Sequence, residues 1–178
     1  MQFVRLFSLA ASMLAAPALA QDEPSSWRFA PGDGYAAAVL TNCDECDYIE
    51  MVVQCEQGSG TVDLTVALDV EDGNPGDERG ITFMFGDGAI DHRAVLVANE
   101  MDATTEPSVT LSADDELLVQ MRDYVAEPQI AVSDAEKKAI AEATSMEVMV
   151  ELGPNKTVSL KGAHDALGQL LPLCQKGG

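Results

Sequence analysis

Three of the four cysteines, Cys43, Cys46 and Cys55, lie close together, and the fourth, Cys174, sits near the far end of the 178-residue chain. Four cysteines allow three pairings, and each asks for a different fold. The segment Tyr48 to Cys55 (YIEMVVQC) reads as a strand, with Ile49, Met51, Val53 and Cys55 on one face. A strand rises about 3.3 Å per residue, which puts Cys55 roughly 25 Å from the Asn42 to Asp47 turn. A disulfide holds its Cα atoms within about 7 Å. Cys43–Cys55 and Cys46–Cys55 are therefore disfavoured. What remains is Cys43–Cys46 across a tight turn and Cys55–Cys174 across most of the chain. The fold must carry the end of an early strand to the last helix.

Disulfides persist in oxidising compartments, and the N-terminus points to one. Residues 1–20 read as a secretory signal peptide. Arg5 supplies the positive region, Leu6 to Ala16 is uncharged, Pro17 breaks it, and Ala18-Leu19-Ala20 is a small-x-small cleavage site. The expected mature chain is a single exported domain over residues 21–178, periplasmic or secreted. No cysteine follows the cleavage site, and no later run is apolar enough for a membrane helix, so no membrane anchor is expected after cleavage.

The rest of the sequence reads mostly at a period of two. Trp27, Phe29 and Tyr35 to Leu40 suggest an opening strand or pair of strands. Thr61 to Leu68 alternates cleanly, with Val62, Leu64, Val66 and Leu68 on one face. Asp69 to Gly80 is a polar loop punctuated by Gly and Pro. Ile81 to Phe85 and Arg93 to Ala98 read as strands around a Gly86-Asp87-Gly88 turn. At Ser112 the period changes. Ser112 to Asp115 fits a capping box that opens a helix with Leu117, Leu118, Met121, Tyr124 and Val125 at helical spacing. Ser133 with Glu136 opens a second helix, to about Thr144. Met146, Val148, Val150 and Leu152 then point inward along a strand, and Thr157 to Leu160 returns. A last helix carries Ala163, Ala166, Leu167, Leu170 and Leu171 and is stopped by Pro172. The expected class is α+β: one compact, β-rich, disulfide-stapled domain, mostly antiparallel, with two or three short helices in the C-terminal half.

Two parts of this pattern resemble a small exported proteobacterial domain found in type VI secretion-associated VasI-like proteins. One is Met51-Val52-Val53-Gln54-Cys55. The other is Val158-Ser159-Leu160-Lys161-Gly162 followed by Ala166-Leu167, Leu170 and Cys174. The resemblance loosely covers residues 35–174. It implies a compact α+β domain with Cys55 bonded to Cys174, and it implies compartment more than activity. The Cys43/Cys46 pair, the acidity and the helix near 134–144 depart from it.

Chemistry-bearing residues are sparse. Thirty acids against ten bases leave a net charge of −20. This argues against nucleic acid and against anionic membrane surfaces, both of which need clustered Lys and Arg. Cys43-Asp44-Glu45-Cys46 has the spacing of thiol–disulfide oxidoreductases. Those enzymes, however, set the first cysteine at a helix N-terminus. Here strand-like sequence follows, and the acids disfavour a thiolate, so the pair reads as a structural disulfide. Zinc would need more ligands than His92 and His164 can add. Neither histidine lies in a hydrolase motif. The acids Asp69, Glu71, Asp72, Asp77 and Glu78, with Asn74, could hold calcium. The twelfth position from Asp69 is Gly80, which does not match an EF-hand. Met51, Met146 and Met149 read as packing rather than copper ligands. No catalytic residue, metal ligand or cofactor is assigned. The expected function is a non-catalytic exported domain binding a basic protein or a cell-envelope component. The alternatives are a small periplasmic hydrolase or thiol–disulfide enzyme with a site hidden from sequence order, and a calcium-stabilised secreted module.

Overall fold

The computed structural model describes residues 25–41, 49–99, 104–124, 133 and 144–176. Nine antiparallel strands form one sheet: β1 (Ser26–Pro31), β2 (Tyr35–Thr41), β3 (Ile49–Glu56), β4 (Thr61–Val66), β5 (Glu78–Phe85), β6 (Gly88–Ala98), β7 (Thr105–Ser112), β8 (Ser145–Val150) and β9 (Asn155–Ser159). Their order across the sheet is β1-β2-β3-β4-β7-β6-β5-β8-β9. Two helices, α1 (Glu116–Asp123) and α2 (Ala163–Cys174), complete the described elements.

The sheet rolls until its two edges meet. Trp27 on β1 donates its backbone N–H to the Lys161 carbonyl, just beyond β9, at 2.8 Å. Its indole Nε1–H reaches the Ser159 carbonyl, also at 2.8 Å. Lys156 on β9 donates to the Ala67 carbonyl at 3.0 Å and lies 4.0 Å from the Glu50 carboxylate. Ser25 donates to that same carboxylate. Alternation decides what fills the roll. Leu40, Met51, Val53, Leu64, Val66, Ile81, Phe83, Leu96, Met146 and Val148 all point inward and are fully buried. The helix α2 lies against β1, β2 and β3, where Ala36 and Ala38 keep the inner face of β2 low enough to admit it. Its neighbour α1 buries Leu117, Leu118 and Met121.

The Cys55–Cys174 disulfide is present, with Cα atoms 5.7 Å apart and 119 residues between the partners. Both cysteines are buried. The β3–β4 turn reinforces the link, because Gly58 and Gly60 donate their N–H groups to the Leu173 and Cys174 carbonyls at 2.8 and 2.7 Å. Carbonyls in the last turn of a helix have no partner within it, and here the turn supplies one. Cys43 and Cys46 lie outside the described residues, as do residues 1–20 and most of the helix expected over Ser133 to Thr144.

Several expectations need correcting. The largest concerns β7, a strand that the sequence analysis does not expect. It joins the two halves of the sheet by pairing with β4 and with β6. Pro107 conceals it, since proline cannot donate to a ladder. The structure removes that objection. Val70 donates to the Thr105 carbonyl, so Thr105 and, two residues on, Pro107 face the β4 side. The β4 ladder has already ended there, at Thr65↔Ser108.

Smaller errors lie at element ends. Ile49 is exposed, not inward, because a register shift opposite Leu40/Thr41 turns it away from Met51. Leu152 is exposed as well. The strand stops at Val150, and Leu152 adopts φ 58 in the following turn. Thr61 to Leu68 pairs as a strand only to Val66. Ser112 ends β7 and is not a cap. Asp115 caps α1 instead, accepting from the Leu117 N–H at 2.9 Å, and only Glu116 is acidic in the first turn. Pro172 does not stop α2, which runs on to Cys174. A proline at this point forfeits only its bond to the Gly168 carbonyl.

Gly162 turns β9 into α2 with φ 80, and a Cβ there would sit 2.8 Å from the Trp27 carbonyl oxygen. Gly162→Ala is expected to cost about 1–3 kcal/mol. Urea unfolding midpoints would show it, and a midpoint equal to wild type would mean that the β9–α2 corner relaxes freely.

Candidate functional site

The chemistry-bearing residues singled out from sequence do not converge. His92 lies on β6 with its side chain toward the core. Its Nε2 is 3.4 Å from the Asp115 carboxylate without a hydrogen bond, and its ring meets Phe83 edge-on at 6.4 Å between centroids. His164 opens α2, exposed, with Nδ1 3.7 Å from Asp123. Each histidine therefore faces an aspartate rather than a hydroxyl or thiol, on different elements. Arg122 hydrogen-bonds Asp123 and holds that carboxyl below its usual range, with a smaller contribution from His164. The pair is exposed, so it adds little to stability.

The acidic loop divides its carboxylates among separate partners. Asp69 accepts from the Thr104 hydroxyl at 2.9 Å. Asp77 accepts from the Asn74 N–H at 3.0 Å and lies 3.6 Å from Arg79, which also reaches the Asp72 carbonyl. Among the described residues no group of three His, Cys, Asp or Glu side chains is arranged to hold a metal. Met51 and Met146 are buried inside the roll. An open depression of about 270 Å³ lies between Gly60, Ser112, Ala113, Asp114, Gln175 and Lys176. It carries one basic side chain and one carboxylate, and Asp114 is already engaged by Ser112.

What the fold does assemble is a surface. The inner face of the sheet is filled, so its outer face is what the strands present. The outward positions of β3 to β8 hold Glu56, Asp63, Glu78, Asp91, Glu106 and Glu147. The outward bases on the strands are Arg28 on β1 and Arg93 on β6. Cross-strand hydrogen bonds fix many of the carboxylates. Thr110 donates to Asp63 and Thr82 to Asp91, both at 2.6 Å, and the amides of Asn99 and Asn155 donate to Glu106 and Glu147 at 2.9 Å. A Thr65–Ser108 hydroxyl pair at 3.0 Å joins β4 to β7. The signal for this surface was already in the alternation of Thr61, Asp63 and Thr65 opposite Val62, Leu64 and Val66. What the sequence lacked was the strand order and register that put these acids on the outer side of one sheet. No known protein family, curated protein or solved structure matches this chain.

Proposed function

We propose that the chain is a non-catalytic exported domain that binds a basic protein or cell-envelope component through the outer face of its rolled sheet. One observation carries the reading: six carboxylates against two guanidiniums at the outward strand positions, several of them held in place by neighbouring hydroxyl and amide donors. Fixed charge of one sign favours encounter with the opposite sign and rejects like-charged partners. The leader-like residues 1–20 and a buried long-range disulfide support export.

The test compares two double variants carrying the same charge change. Asp63→Lys with Asp91→Lys alters the sheet face; Glu116→Lys with Asp165→Lys alters the helices. Binding of a lysine-rich peptide is measured by calorimetry at low and at physiological salt. The expected result is an affinity that falls about tenfold or more in the sheet variant and much less in the helix variant. Equal losses would mean that only the overall charge matters, and the proposed face would be abandoned.

A further inference from the structure

Within the acidic face lies a short apolar strip. The inward residues of β6 are Ala94 and Leu96, both buried, so Val95 and Val97 point outward, and they are 44% and 37% exposed. The part of each valine left exposed contributes nothing to folding, whereas burying it against a partner contributes to binding. The register sets carboxylates around the strip. Val95 pairs with Glu78 on β5 and Ser108 on β7, and Val97 pairs with Glu106 on β7. Arg93, two residues before Val95, marks one end. The strip crosses the middle of the sheet, where β6 is hydrogen-bonded to neighbours on both sides. Its backbone is therefore satisfied and only side chains remain to make contacts. An apolar centre with a charged rim is the usual anatomy of a protein-binding surface.

We infer that Val95 and Val97 form the centre of the docking surface, and that its occupant is an extended segment of a partner protein whose one face, at every second residue, alternates apolar and Lys/Arg side chains. This rests on the proposed binding of a basic partner and narrows it to a place and a sequence chemistry. Residues two apart share a face of an extended segment, so a basic side chain two residues from each apolar one reaches the carboxylates that flank the valines across the strands. Charge decides against a second copy of this chain as the occupant. At −20 overall, two such faces would bring carboxylate against carboxylate.

The test uses two peptides of equal charge, Lys-Ser-Val-Ser-Lys-Ser-Val-Ser-Lys and Lys-Ser-Ser-Ser-Lys-Ser-Ser-Ser-Lys, titrated into the oxidised protein with backbone amide shifts as the readout. The valine peptide is expected to bind about tenfold tighter than the serine peptide, the worth of one buried valine side chain. The largest shifts are expected on β5, β6 and β7. The paired variant Val95→Ser/Val97→Ser is expected to abolish the difference while leaving the serine peptide's affinity unchanged. Equal binding of the two peptides to the wild type would overturn the strip while leaving the basic-partner reading standing. A preference that survives in the variant would do the same, whereas shifts confined to the helices would overturn the strip and the sheet face of the parent reading together. Failure of both peptides to bind at low salt would overturn the parent reading itself. Self-association of the protein alone, lost in the Val95→Ser/Val97→Ser variant, would replace the peptide with a second copy.

Discussion

Replacing Cys174 with serine is expected to lower stability by about 5 kcal/mol, the loop-entropy value for a link of this span. That corresponds to a fall in Tm of roughly 10–20 °C for a domain of this size. The bond ties residues separated by 119 positions, and both sulfurs are buried. Without it, α2 is held to β3 only by packing and by the hydrogen bonds from Gly58 and Gly60. Serine also buries a hydroxyl, so a Cys55→Ala/Cys174→Ala variant separates the chain-entropy part from the polar one. Calorimetric melts of the oxidised wild type, the two variants and the reduced protein provide the check. By contrast, Cys43→Ser with Cys46→Ser is expected to cost much less, because the bond that the sequence spacing leads one to expect between them would close so short a loop that it restrains little of the unfolded chain. Equal losses from the two pairs would contradict the pairing assigned to Cys43 and Cys46.

Trp27→Ala is expected to cost about 3–5 kcal/mol, the usual range for truncating a buried tryptophan. The residue is 4% exposed and closes the seam between the first strand and the last. Trp27→Phe keeps most of the apolar surface but removes the indole N–H from the Ser159 carbonyl, and about 1 kcal/mol is expected from that loss. The comparison separates packing from hydrogen bonding at the seam. Unfolding should be followed by far-ultraviolet circular dichroism, because Trp27 is the only tryptophan and fluorescence disappears with it. A loss below about 1 kcal/mol for Trp27→Ala would mean that the rolled sheet holds together without its seam.

Legibility in the sequence followed burial. Where one face of a strand is buried and the other is wet, the two-residue period is printed in the side chains. Thr61 to Val66, Ile81 to Phe85 and Met146 to Val150 were therefore readable. The same period misled at Ile49 and Leu152. A pattern cannot see a register shift or a turn with positive φ, which are settled by the neighbouring strand and by the chain's change of direction. The cap of α1 lies three residues beyond the expected Ser112, at Asp115, because Ser112, Asp114 and Asp115 all have capping side chains. Which one accepts from the helix depends on where β7 lets go of the sheet.

The strand β7 shows the limit most clearly. Its inward residues Thr105, Pro107, Val109 and Leu111 include a hydroxyl and an imino acid, and both count against a central strand when read locally. In the structure the Thr105 hydroxyl is satisfied by the Val70 carbonyl at 3.0 Å, and Pro107 falls where β4 has stopped pairing. Neither compensation is visible without the neighbours.

By itself the sequence determined the class of fold, the inward residues of the clean strands, and the link from Cys55 to Cys174, because side-chain period and the reach of a disulfide are local constraints. Only the tertiary structure decided that the strands join through β7 into one rolled sheet, that Trp27 meets β9, and that scattered carboxylates share a face with Val95 and Val97. Those outcomes depend on strand order and register, and they are set by long-range pairing energies that no stretch of sequence carries alone.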